Sequence, residues 1–159
     1  MISDTCTPDW QDPQVVGRNK EPGHVPLVPY PDAATALAGA PETTPYRQCL
    51  NGQWLYRWAP NPAAAPPRFY ALDADLSGWE RINVPGNVEL QGHGIPIYVN
   101  VQYPFPADNV PRVPEDDNPT SACRTTFWLP KAWLERQIYI LFEGVDSAFH
   151  LWVNGEAVG

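Results

Sequence analysis

The sequence predicts an all-β protein: an antiparallel sandwich of jelly-roll type behind an extended proline-rich arm. Twenty prolines and eleven glycines in 159 residues exclude a mainly helical chain. Seven Trp, seven Tyr and five Phe supply the bulk that closes a core despite so much loop. Short β-branched and aromatic runs are separated by turn chemistry, including Asn51-Gly52 and Asn154-Gly155. A chain of this length holds one domain and an arm, and is too short for most barrel enzymes.

Residues 1–45 form the expected arm, dense in Pro, Asp and small residues. Within it, "PDAATALAGA" has the composition for two helical turns ending at Gly39. Isolated apolar residues such as Trp10, Val15, Val16, Leu27 and Tyr30 need a surface to cover them, so the arm packs on the domain or a neighbouring subunit. A disordered tail is the alternative.

The domain proper covers residues 46–159. "CLNGQWLYRWAP" reads as a strand after an Asn-Gly turn, with Trp54, Tyr56 and Trp58 on one face and Leu55 and Arg57 on the other. "RTTFWLP" and "QIYILFEGV" have the composition of central strands, with one helical turn in the "PKAWLE" between them. "AFHLWVNGEAVG" presents a hairpin at Asn154-Gly155 whose returning strand has only "EAVG". An edge left without its partner exposes unpaired amides and carbonyls, which points to the front piece of a longer chain and an incomplete sheet.

Eighteen acidic residues against ten basic give a formal charge of −8, which opposes nucleic acid or an anionic membrane as partner. The N-terminus has no basic leader or signal-length apolar run, and no segment approaches the ~20 apolar residues of a membrane span, so the expected location is cytoplasmic. Cys6, Cys49 and Cys123 are odd in number and far apart, which suits free thiols better than a disulfide framework or a metal site.

The stretch "IPIYVNVQYPFP" sets an amide, Asn100, between two valines. In an extended segment Ile95, Ile97, Val99, Val101 and Tyr103 share one side, and Tyr98, Asn100 and Gln102 the other. An aromatic with two amides suits a neutral, hydroxyl-rich ligand, because an amide donates and accepts without charge. The alternative is an Asn that bonds a nearby loop backbone.

Signals for catalysis are scarce. His24, His93 and His150 have no zinc spacing, and Asp146, Ser147 and His150 lack a nucleophile elbow and fit a turn into a strand. The carboxylates of "PEDDNP", 115–117, read as a solvated loop, with nothing apolar nearby to raise a pKa. In "PDWQDPQV", Asp9, Asp12 and the carbonyl of Val15 recur every three residues, as a turn around a hard cation requires; helix capping or hydration of Asp9 is the alternative.

These residues carry a resemblance. "CLNGQWLYRWAP", "VPGNVELQGHGIPIYVNVQYPFP", "VPEDDNPTSACRTTFWLP" and above all "FEGVDSAFHLWVNGEAVG" resemble, in this order, the N-terminal part of bacterial β-galactosidases of glycoside hydrolase family two. "DPQVVGRNKEP" and "LVPYPDAATALAG" resemble the arm before the sandwich in those enzymes, so the similarity covers nearly the whole chain. It implies a retaining, often homo-oligomeric glycosidase that acts on β-galactosides such as lactose. Its two catalytic glutamates lie on a downstream barrel and therefore not in this chain; retaining chemistry needs them ~5 Å apart, so this piece alone is expected to be inactive.

The resemblance also implies site residues. A jelly-roll loop of the family reaches the galactose pocket, and the Asn of its "Y-T-N-V-x-Y-P" segment, which bonds the sugar, matches Asn100, with Tyr98 beside it. On that reading the apolar flanks pin the loop while the amide reads a hydroxyl. The family's structural Mg²⁺ near the arm has ligands in a "D-W-x-N-P-x-V" segment that matches Asp9, Asp12 and Val15, with Asp12 in place of the usual Asn; its remaining ligands are expected beyond Gly159. The full enzyme admits Na⁺ as well.

Departures from the family pattern fall at Val88, where a Trp is usual, at Cys123, at an aromatic position, and at Val99 for the common Thr. Each large-to-small change in a core costs about 2 to 5 kcal/mol uncompensated. Two rival functions remain: a stand-alone, non-catalytic carbohydrate-binding or interaction module, and a β-glucuronidase or β-mannosidase relative. The unfinished hairpin argues against the first, and the arm with "YVNVQYP" against the second.

Overall fold

A computed structural model describes residues 8–159; Cys6 lies outside the described residues. The architecture is all-β, as expected. Strand β1 (Gly52–Ala59) lies between β2 (Glu80–Val84) and β3 (Thr120–Arg124), antiparallel to both, in the order β2-β1-β3. A second, two-stranded antiparallel sheet pairs β4 (Trp152–Val153) with β5 (Glu156–Ala157).

Local chemistry accounts for these elements. Asn51-Gly52 opens β1, and Gly52 takes φ 138°, a conformation that costs other residues a clash at Cβ. Between β4 and β5, Asn154 (φ 52°) and Gly155 (φ 89°) both sit left-handed, as the tight hairpin turn with matching twist demands. In the arm, helix α1 (Ala33–Ala38) starts at Asp32, whose carboxylate accepts from the Thr35 N–H at 2.8 Å, and stops at Gly39 in the left-handed conformation.

The core sits on both faces of β1. On one, Trp54, Tyr56 and Trp58 lie together as the alternation requires; Tyr56 is fully buried, with buried Ile82 opposite Trp54 and the His93 ring 4.5 Å from Tyr56. On the other, Ala59 and Ala122 are buried, and Arg124 Nη1 donates to the carbonyls of Phe69 (3.2 Å) and Ala71 (2.8 Å). The loop fastened in this way carries Tyr70, which stacks on Trp152 at 5.1 Å with planes 6° apart, while Phe69 meets the same indole edge-on. That aromatic trio joins the β4-β5 hairpin to the larger sheet.

The arm meets the domain where Trp133 Nε1 donates to the Pro45 carbonyl at 2.9 Å. Next to that contact, within the domain, the Arg136 guanidinium lies 4.6 Å from the Tyr46 ring centre, and within the arm buried Thr44 donates its hydroxyl to Pro29 at 2.6 Å.

Two expected strands are shorter or missing. β3 ends at Arg124, so most of "RTTFWLP" forms no ladder, and "QIYILFEGV" forms none at all among the described residues. Composition identifies a segment suited to a sheet, but a strand exists only where a neighbour accepts its hydrogen bonds. Ile138, Tyr139, Ile140 and Leu141 are consequently exposed.

Candidate functional site

The loop that leaves β2 carries the residues expected to meet a ligand. Its first turn is closed by an amide clamp: Gln91 Oε1 accepts from the Asn83 N–H at 2.7 Å, and Gln91 Nε2 donates to the Asn83 carbonyl at 3.1 Å. The carboxamide pairs with the strand end as a neighbouring strand's peptide group would. Gly86 makes room for it, since a Cβ there would lie 2.9 Å from both Asn83 O and Gln91 Nε2.

Beyond Gly94 the chain runs outward. None of residues 95–105 makes a hydrogen bond among the described residues, and Tyr98 is 89 % exposed. Asn100 is exposed, and among the described residues its amide makes no hydrogen bond. Tyr98, Asn100 and Gln102 are all open to solvent, and Tyr103 stacks on Phe105 at 6.1 Å.

The expectation that apolar flanks pin this loop is corrected by the structure. Ile95, Ile97, Val99, Val101 and Tyr103 are exposed rather than packed, because no face of the sheet lies beneath them. The loop is held at its ends instead. At the far end the arm supplies a second amide clamp: Gln11 Nε2 donates to the Val113 carbonyl at 2.9 Å, and Gln11 Oε1 accepts from the Val113 N–H at 3.2 Å. Neither glutamine stands out in the sequence, since a side-chain amide acting as a peptide group has no pattern of its own.

Asp9 opens the short 3-10 turn Asp9–Gln11. Arg18 grips its carboxylate with two N–H groups, Nη2 to Oδ1 at 2.8 Å and Nε to the other oxygen. That hydrogen-bonded guanidinium holds the Asp9 carboxyl below the usual carboxylate range. The Asp12 carboxylate accepts from the Gln14 N–H at 2.9 Å, and the Val15 N–H donates to the Asp12 carbonyl at 3.0 Å. The donors are hard oxygens of the kind Mg²⁺ selects, and the turn brings Asp12 and Val15 together; the cation now on Asp9 is Arg18. Among the described residues, no three His, Cys, Asp or Glu side chains gather as a metal centre.

The other candidates have structural partners. His93 packs on Tyr56, and His150 stacks against Trp152 at 6.0 Å. The loop 115–117 is tied to the turn after β1 through Asn61 Nδ2, which donates to the Asp116 carbonyl at 3.2 Å, while its carboxylates face solvent. Cys49 and Cys123 are free thiols. Among the described residues, no helix is long and apolar enough to cross a membrane.

Residues 47–159 match the model of the glycosyl hydrolases family 2, sugar binding domain. Over 95 % of its length the chain is 44 % identical to a beta-galactosidase of Psychromonas ingrahamii and 45 % identical to one of Vibrio cholerae. A beta-galactosidase of Priestia megaterium is 35 % identical over 96 % of the chain. The chain spans 14 % of the first two relatives and 15 % of the third.

Proposed function

The chain belongs to the glycosyl hydrolases of family 2, and from that premise we propose that it acts as the N-terminal part of a retaining β-galactosidase, removing terminal β-D-galactose from substrates such as lactose. In this reading residues 1–45 are the arm and 46–159 the sugar-binding domain of a cytoplasmic homo-oligomer. The observation that carries it is the unpaired Asn100 amide on an exposed, end-clamped loop, in a chain so similar to beta-galactosidases.

Asn100 then hydrogen-bonds a galactose hydroxyl, and Tyr98 offers an aromatic face beside it. The amide donates and accepts in one place, which selects for hydroxyl geometry rather than charge. The carboxyl pair that cleaves the bond belongs to the rest of the parent enzyme, and this domain binds and orients the sugar before them. Asp9, Asp12 and the Val15 carbonyl would hold a structural Mg²⁺, with Arg18 sharing Asp9. Bound there, the ion supplies a fixed positive charge that fastens the arm.

The test is kcat/KM for aryl β-galactoside, β-glucuronide and β-mannoside, measured on protein from the same reading frame extended past Gly159. A galactoside preference upholds the reading. Preference for either other glycoside, or hydrolysis of none, removes it and leaves a binding module to be tested by sugar affinity.

A further inference from the structure

We propose that Gln11, in the arm, is a positioning residue for the sugar-contacting loop, so that the arm tunes galactoside binding without touching the sugar. The inference rests on the reading of Asn100 as a sugar contact.

The loop is a tether with two fixed ends. Gln91 closes its start on Asn83, and Gln11 closes its end on Val113, which lies 102 positions away in sequence. Between the clamps, residues 95–105 form no hydrogen bond among the described residues, so the reach of Asn100 depends on where the ends are held. Releasing one end restores conformational freedom that ligand binding must then remove.

Gln11 is well placed for this work. It closes the 3-10 turn Asp9–Gln11, its own N–H donates to the Pro8 carbonyl at 2.8 Å, and Arg18 braces the turn through Asp9. Its contact with Val113 is partly buried, which shields the two hydrogen bonds from exchange with water. A side chain without both a donor and an acceptor at that length cannot reproduce the pair.

The experiment uses the full-length enzyme carrying Gln11→Met, which keeps side-chain length and removes both hydrogen bonds. Amide hydrogen exchange at Arg112 and Val113, whose N–H groups bond the Asn109 carbonyl and Gln11 Oε1, is expected to quicken while β1 and β3 keep their protection. KM for an aryl β-galactoside is expected to rise about five- to tenfold with kcat within about twofold. Gln11→Glu keeps an acceptor for the Val113 N–H but sets a carboxylate oxygen against the Val113 carbonyl, so it should not restore the wild-type exchange or KM. Unchanged exchange and KM in Gln11→Met overturn the proposal, as does faster exchange spread equally over β1 and β3. If exchange quickens locally but Asn100→Ala leaves kcat/KM intact, the clamp stands and the sugar-contact reading fails.

Discussion

The Tyr56 hydroxyl lies 2.6 Å from the Ser121 hydroxyl, which ties the one large, fully buried side chain of β1 to the neighbouring strand β3. Desolvation raises the Tyr56 pKa, so the phenol stays protonated and one hydroxyl can donate to the other. Tyr56→Phe should cost about 1 kcal/mol by leaving Ser121 alone, whereas Tyr56→Ala should cost about 3 to 5 kcal/mol by opening the core. Urea unfolding separates the two; equal losses would mean that the hydroxyl pair, and not the ring, holds the strands.

Asn100→Ala in the full-length enzyme should lower kcat/KM on an aryl β-galactoside at least about tenfold, since one hydrogen bond in a preorganised pocket is worth roughly 1 to 3 kcal/mol. Because Asn100 makes no hydrogen bond among the described residues, thermal stability should not change. A drop in Tm with intact kinetics would assign it to structure.

Asp9 has a depressed folded pKa, so its pairing with Arg18 stabilises the turn at pH above the unfolded value of 3.8 and is lost as pH falls through the lower folded value. Arg18→Met removes the largest cause of that shift, and the Asp9 carboxyl should then titrate nearer 3.8. Carboxyl NMR through an acid titration reads this directly. An unmoved midpoint would show that the guanidinium is not what holds the charge.

Removal of Mg²⁺ from the full-length enzyme by chelator should lower its Tm by several degrees, with recovery on Mg²⁺ addition. Asp12→Ala should abolish the dependence. A Tm indifferent to chelator would leave Arg18 as the only cation the turn requires.

Arg124→Met should destabilise the fold by about 2 kcal/mol, because the carbonyls of Phe69 and Ala71 lose a charged donor. The Tyr70–Trp152 stack rides on that loop, so indole fluorescence should change as well.

How much of this was legible beforehand depended on whether the determinant is local. β1, the two-turn helix and the last hairpin follow from residues within the segment: alternating aromatics, an Asp cap with Gly39, and Asn154-Gly155. Residues 138–141 have the composition of a strand but form no ladder among the described residues, because pairing is a property of neighbours. The clamps at Gln11 and Gln91 went unseen for the same reason, as each is defined by the peptide group it meets and not by its own surroundings in sequence. The loop 95–105 is accordingly held by these clamps and not by its apolar flanks.

The unpaired row Ile138, Tyr139, Ile140 and Leu141, with Trp128 92 % exposed, bears on how the 159-residue piece behaves in a test tube. An apolar, β-prone run without charges is a template for association between copies. The net charge of −8 counters this by mutual repulsion near neutral pH, but repulsion vanishes near the sequence pI of about 4.7. Preparations of the piece should therefore stay dispersed in low salt at neutral pH and turn cloudy on mild acidification, well before Asp9 begins to let go of Arg18.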